Sequence, residues 1–94
     1  MKCQEKSLDQ LTADEITTAL RAAIPARDVG ITAITDPNGA LVEACCVEVY
    51  VMFEAQQSAL SIRCWHAYNA EPYKTLEAST LDDAISLVKA EFAG

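Results

Sequence analysis

The longest apolar stretch of the chain, residues 40–53 (ALVEACCVEVYVMF), limits the available folds more than any other feature. Its β-branched and aromatic residues predict one long strand rather than a buried helix. With a period of two, one side of this strand is uniformly apolar and is expected to face the core: Cys45, Val47, Val49, Val51 and Phe53. The other side mixes acidic, aromatic and thioether groups and is expected to face solvent or a partner: Val42, Ala44, Cys46, Glu48, Tyr50, Met52 and Glu54.

A helix is predicted on each side of the strand-rich region. The first begins at a capping box formed by Thr12 and Glu15, and Pro25 ends it. Ser79 or Thr80 caps the second helix, and two aspartates follow in its first turn. The apolar stripes of the two helices consist of Ile16, Ala19, Leu20 and Ala23 and of Leu81, Ala84, Ile85, Val88 and Phe92.

Further strands are predicted at residues 29–35 and 60–68, while residues 73–78 form either a fourth strand or an irregular link. Residues 36–39 (DPNG) predict a hairpin turn in which Gly39 takes a positive φ. Matching the apolar faces of the last two long strands sets their register. It puts Glu54 opposite Ala59, Val51 opposite Ile62, Tyr50 opposite Arg63 and Glu48 opposite Trp65.

These elements predict a single α+β domain over residues 1–94, with residues 1–10 frayed. The order is α-β-β-β-(β)-α. The apolar stripes of the two helices and the apolar face of the sheet are buried most economically when the helices and the sheet pack as two layers. We therefore expect an antiparallel sheet of three to four strands with both helices on one face and the other face open.

The chain is acidic, with 14 Asp and Glu against seven Lys and Arg and a net charge of −7. The bases are scattered, whereas nucleic-acid binding needs them clustered, so no direct nucleic-acid partner is expected. Such an excess of acidic residues either keeps the protein soluble or complements the basic surface of a partner. No apolar run reaches the roughly 18 residues that a membrane span needs, and residues 1–10 lack the apolar core of a signal peptide. We therefore expect a cytoplasmic protein with reduced cysteines and no membrane partner.

No motif for catalysis, cofactor binding or metal binding is found. Cys64 and His66 share a strand face and could bind a metal with Cys45. However, zinc sites usually contain cysteines paired at a spacing of two to four residues, and the sequence has no such pair. As a catalytic pair, Cys64 and His66 would be separated by about 7 Å at strand rise. No glycine-rich phosphate loop exists either. The chain is therefore predicted not to be an enzyme and to need no cofactor.

One surface has the composition of an interface. Tyr, Trp, Met and Arg are enriched in protein interfaces, and the outer sheet face should carry all four types. The alternative is that the C-terminal tail or residues 70–78 cover this face. The predicted partner-binding residues are Glu48, Tyr50, Met52, Glu54, Arg63 and Trp65.

The order of elements resembles that of double-stranded RNA-binding domains over most of the chain. That family presents a basic N-terminus of its final helix to phosphates. This chain has residues 79–83 (STLDD) there, whose aspartates would repel phosphate, so no RNA-binding residue is transferred.

In size, acidity and lack of catalytic motifs, the chain is similar to small proteins encoded by phages and mobile elements, such as anti-CRISPR proteins. The resemblance implies a viral protein in the host cytosol. It would inhibit a bacterial nucleic-acid-targeting defence complex by stoichiometric binding to a basic protein surface. Two alternatives stay open: a structural protein that forms homodimers or larger homo-oligomers, and a small-ligand sponge.

Overall fold

The computed structural model describes residues 8–24, 29–35, 38–44 and 46–93. After a short 3-10 helix at Leu8–Gln10, the elements are α1 (Ala13–Ala23), β1 (Gly30–Thr35), β2 (Asn38–Ala44), β3 (Val47–Glu54), β4 (Ala59–His66), β5 (Lys74–Ala78) and α2 (Leu81–Ala93). The five strands form one antiparallel sheet in the spatial order β1-β2-β3-β4-β5. The predicted α+β class is confirmed.

The helix starts follow the sequence closely. The Thr12 amide donates to Glu15 Oε1 at 2.9 Å, and the Glu15 amide donates to Thr12 Oγ1 at 3.1 Å, which completes the predicted capping box. At the second helix, Thr80 Oγ1 accepts from the Asp83 amide at 3.1 Å, so Thr80 rather than Ser79 is the cap. The first helix ends at Ala23, and Pro25 lies outside the described residues.

The prediction of one long strand over residues 40–53 is wrong. The chain reverses between Ala44 and Val47, which pair directly, and Cys46 in the reversal has a φ of 73°. This reversal changes which residues share a face. In one continuous strand, alternate residues share a face, whereas in the hairpin two residues share a face when they lie directly opposite each other on the two strands. Val42 is therefore fully buried on the core side, opposite Val49. Val42 and Ala44 were therefore wrongly predicted on the outer side, while Cys46 is exposed as expected but lies in the reversal rather than in a strand.

The register predicted between the last two long strands is confirmed. Phe53 lies opposite Leu60, Val51 opposite Ile62 and Val49 opposite Cys64. The ambiguous stretch at residues 73–78 contains a strand, β5, which pairs with β4. Together with the reversal after Ala44, this raises the number of strands to five.

The core lies between the helices and one face of the sheet. Val49 and Val51 are fully buried there, while Val47 and Phe53 are partly buried against it; Cys45 lies outside the described residues. Residues of both helices belong to the same buried cluster, so both helices cover the same sheet face, as predicted. The fully buried members of this cluster are Ile16, Leu20, Ala40, Val42, Val49, Val51, Leu60, Ile62, Cys64, Ala84 and Val88.

Gly39 is needed for space rather than for a positive φ. No described glycine has a positive φ, so the predicted role of Gly39 in the turn is wrong; Asp36 and Pro37 lie outside the described residues. Gly39 instead belongs to β2, where an added Cβ would stand 2.2 Å from the carbonyl oxygen of Val51. Only glycine lets the backbones of β2 and β3 approach this closely.

None of the described helices has the length and apolar character that a membrane crossing requires.

Candidate interface on the outer sheet face

A second apolar group lies on the sheet face opposite the helices, here called the outer face. Strand pairing brings its members into neighbouring positions on four strands, β1 to β4. All are partly buried, and none is among the residues that form or pack against the core. The members of this group are Ile34, Leu41, Tyr50, Met52 and Trp65. The sheet therefore has apolar surface on both faces, although the helices cover only one.

The centre of the outer face is a groove of about 280 Å³, lined by Glu48, Tyr50, Met52, Arg63 and Trp65. It forms because the β3–β4 register puts Tyr50 opposite Arg63 and Glu48 opposite Trp65. Small-molecule pockets are typically about 300–1,000 Å³ and largely enclosed. This groove is slightly smaller than that range and open along the sheet, so its size suits one or two side chains of a partner.

Arg63, the one base among the described residues that line the groove, leans toward one end. Arg63 Nη2 lies 3.4 Å from Glu54 Oε2, and the two side chains are 48% and 35% exposed. Glu54 lies beyond Met52 on β3, in the direction away from Trp65. An exposed ion pair of this kind contributes at most about 1 kcal/mol to stability. Its main consequence is positional, because it draws the guanidinium away from the Trp65 end of the groove.

Two carboxylates meet at that end. The prediction of one long strand implies opposite faces for Glu43 and Glu48. This is wrong, because the reversal after Ala44 sets them directly opposite each other on the outer face. Within the described part of the chain, neither has a hydrogen-bond or ion-pair partner. The described strands place four carboxylates and one guanidinium on the outer face: Glu43, Glu48, Glu54, Glu77 and Arg63.

No described element lies over the outer face. The two candidates for covering it were the C-terminal tail and residues 70–78. The tail is α2, which packs on the other face, and β5 extends the sheet in its own plane. The groove is therefore open to solvent over the described residues.

All six residues predicted to bind a partner lie together on this face. Five line the groove, and the sixth, Glu54, accepts a hydrogen bond from Arg63. Sequence reasoning missed Leu41, which lies opposite Tyr50, and Glu43. A signal for both existed, because the sequence around Cys45–Cys46 is nearly mirror-symmetric: Val42 matches Val49, Glu43 matches Glu48, and Leu41 matches Tyr50.

A second polar cluster lies on the helix side of the sheet, where β5 meets α2. Glu91 accepts from Tyr73 Oη at 2.8 Å and from Lys74 Nζ at 2.5 Å. The bond from Lys74 holds the pKa of Glu91 below its ordinary value. Burial, with the bond to Glu91, raises the pKa of Tyr73 to about 12. The His66 ring stacks on Tyr73 with 4.3 Å between centroids.

Cys64 lies buried beneath this second cluster. Burial, reinforced by the charge of Glu91, raises the pKa of its thiol. A nucleophilic cysteine needs the opposite shift, so these surroundings favour a packing role. Among the described residues, no group of three or more His, Cys, Asp or Glu side chains could hold a metal ion. Cys45, the third proposed ligand, lies outside the described residues.

Comparison with protein-family models, with curated proteins and with solved structures gives no significant match for this chain.

Proposed function

We propose that this chain is a small acidic protein-binding module that acts by stoichiometric binding, without catalysis, to a basic surface of another protein. The observation that carries the proposal is the open outer groove, in which Tyr50, Met52 and Trp65 lie between carboxylates. A sheet face left to water usually carries Thr, Lys and Glu. Large apolar side chains gathered on such a face typically mark a binding surface.

The charge of the outer face supports a basic partner. On the described strands four carboxylates surround the apolar group, and the one guanidinium among them is already paired with Glu54. The chain as a whole carries a net charge of −7. A field of one sign speeds the encounter with an oppositely charged protein and opposes encounters with acidic ones.

Proteins that bind nucleic acids have basic surfaces of this kind, because they must contact phosphates. An acidic domain that occupies such a surface excludes the nucleic acid. Inhibition of a bacterial nucleic-acid-targeting complex by a phage protein of the anti-CRISPR type would proceed in this way, in the cytosol of the host. The same acidity argues against direct binding of this chain to DNA or RNA.

Self-association through the outer face is the alternative occupant. A twofold dimer would bury the apolar groups of both copies, but it would also bring the carboxylates of one copy against those of the other. Like charges at an interface cost several kcal/mol. The charge pattern thus favours a different, basic protein. A small-ligand sponge is disfavoured by the open form and small volume of the groove.

The proposal is tested by selecting from a displayed library of random peptides with the immobilised chain. We expect the bound peptides to be enriched in Lys and Arg. We expect the double variant Tyr50→Ala with Trp65→Ala to lose this selection, because aromatic side chains at an interface centre often contribute about 2 kcal/mol or more. Tyr68→Ala is the matched control, since Tyr68 is 88% exposed in the β4–β5 loop and outside the groove.

Circular dichroism and sedimentation velocity complete this test. Circular dichroism establishes that each variant is folded, and sedimentation reports the association state. Selection of neutral or acidic peptides would contradict a basic partner. Equal selection by the folded double variant and the wild type would contradict the outer face as the site. Tight self-association that the double variant abolishes would assign the face to a homo-oligomer instead.

A further inference from the structure

Beside the Trp65 end of the groove is a local conflict that nothing in the described fold relieves. Glu43 and Glu48 lie directly opposite each other, and like charges in that position destabilise a sheet. The nearest base on the outer face, Arg63, is bound to Glu54 instead. A local arrangement that lowers stability without compensation within the fold is typical of a functional site.

Aromatic surface adjoins the two carboxylates. Trp65 lies directly opposite Glu48, and Tyr50 lies two positions along β3 on the same face. Both rings line the groove together with Glu48. The face of an indole ring attracts a cation, and a neighbouring carboxylate holds that cation through charge-assisted hydrogen bonds. A cation entering here would meet both kinds of contact at once.

We infer that the Trp65 end of the groove binds an arginine side chain of the partner, with its guanidinium over the indole and its N–H groups donating to Glu43 and Glu48. This inference rests on the proposed function and specifies the group that anchors the partner. Arginine is favoured over lysine because its guanidinium is planar and stacks on a ring while donating two parallel hydrogen bonds. An ammonium group is a more strongly hydrated point charge and offers no flat face.

Tryptophan fluorescence reports on this site directly, because Trp65 is the only tryptophan of the chain. The probe is a six-residue peptide of Gly and Ser with two adjacent arginines. Two companion peptides replace both arginines with lysine or with citrulline, which keeps the planar group but removes the charge. We expect a saturable change of Trp65 emission with the arginine peptide, about tenfold weaker binding of the lysine peptide, and no saturation with the citrulline peptide.

Charge-neutral variants then locate the contact. Glu48→Gln should weaken binding of the arginine peptide about tenfold, since one charge-assisted pair is lost. Glu77→Gln is the matched control, because it removes the same charge from the same face but lies on β5, away from Trp65. The wild-type affinity should persist in that variant within about twofold at 0.15 M salt, where distant charges are screened.

Three results would overturn the inference: equal binding of the arginine and citrulline peptides, equal binding of the arginine and lysine peptides, or equal effects of Glu48→Gln and Glu77→Gln. The last result would mean that net charge alone attracts the peptide. Failure here is distinguishable from failure of the proposed function. If library-selected peptides still require Tyr50 and Trp65 but ignore Glu48, the arginine site is wrong while the outer face remains the binding surface.

Discussion

Glu43 and Glu48 face each other across the β2–β3 pair, with no cation beside them in the described part of the chain. Their repulsion acts against folding, whereas the same two charges would attract a basic partner. Stability and binding should therefore respond in opposite directions when either charge is removed.

The first prediction follows from this opposition. Glu43→Gln should raise the free energy of unfolding by roughly 0.2–1 kcal/mol, because it removes a like-charge pair between neighbouring strands. Thermal or urea unfolding measures the change. Glu77→Gln, which removes the same charge where the described residues show no facing carboxylate, should change stability less. A Glu43→Gln protein less stable than the wild type would contradict the reading of this pair.

The second prediction concerns the close approach of β2 to β3. Gly39→Ala should lower the free energy of unfolding by about 1–3 kcal/mol, because the new Cβ would meet the Val51 carbonyl oxygen at 2.2 Å and the Met52 Cα at 3.0 Å. Gly30→Ala is the control. Its added Cβ meets only Glu43, at 3.9 Å, an ordinary contact. Urea unfolding of both variants should therefore show a large loss for Gly39 alone, and equal losses would mean that the strands are not this close.

The third prediction is a pH dependence centred on Glu91, whose side chain is only 10% exposed. The bonds from Lys74 and Tyr73 lower the pKa of its carboxyl group, so the stability they supply is present above the ordinary pKa, 4.5, and is lost as pH falls through the lower folded value. The pKa values of Tyr73 and Lys74 are raised, that of Tyr73 to about 12. The stability that these two groups contribute is therefore fully present below about pH 10 and is lost as pH rises through their folded pKa values.

Glu91→Gln tests this dependence. It should lower the free energy of unfolding at pH 7 by about 1 kcal/mol, because the ion pair with Lys74 is lost and the bond from Tyr73 no longer ends on a charged acceptor. Its melting temperature should also fall less steeply than that of the wild type between pH 5 and pH 3. Glu71→Gln, on an exposed loop residue, should keep the wild-type slope. Parallel pH profiles for Glu91→Gln and the wild type would contradict the assignment.

The parts of the fold that follow from local rules could be read from the sequence. The capping box at Thr12 and Glu15 needs only four adjacent residues, and the β3–β4 register follows from matching two apolar faces. The outer-face positions of Tyr50 and Trp65 depend on that register alone. This is why all six predicted interface residues occupy one surface.

The reversal between Ala44 and Val47 could not be read from turn chemistry. Two-residue hairpins usually contain Gly or Asn, whereas here a cysteine adopts the left-handed backbone at φ 73°. Strand length offered a better guide, since strands average about five to six residues and a strand over residues 40–53 would be more than twice as long. Because the reversal was not predicted, Glu43 and Leu41 were not assigned to the outer face. They share that face with Glu48 and Tyr50 only when the two strands form a hairpin.

The central claim is that a basic partner binds the outer face of β3 and β4, and chemical-shift mapping tests it most directly. The ¹⁵N-labelled chain is titrated with a basic peptide selected from the library, and amide and indole shifts are followed residue by residue. We predict that the largest changes fall on Glu48, Tyr50, Arg63 and the Trp65 indole, with small changes in α1 and α2. Changes concentrated on the helices or on the β1 edge, with the Trp65 indole unmoved, would contradict the claim.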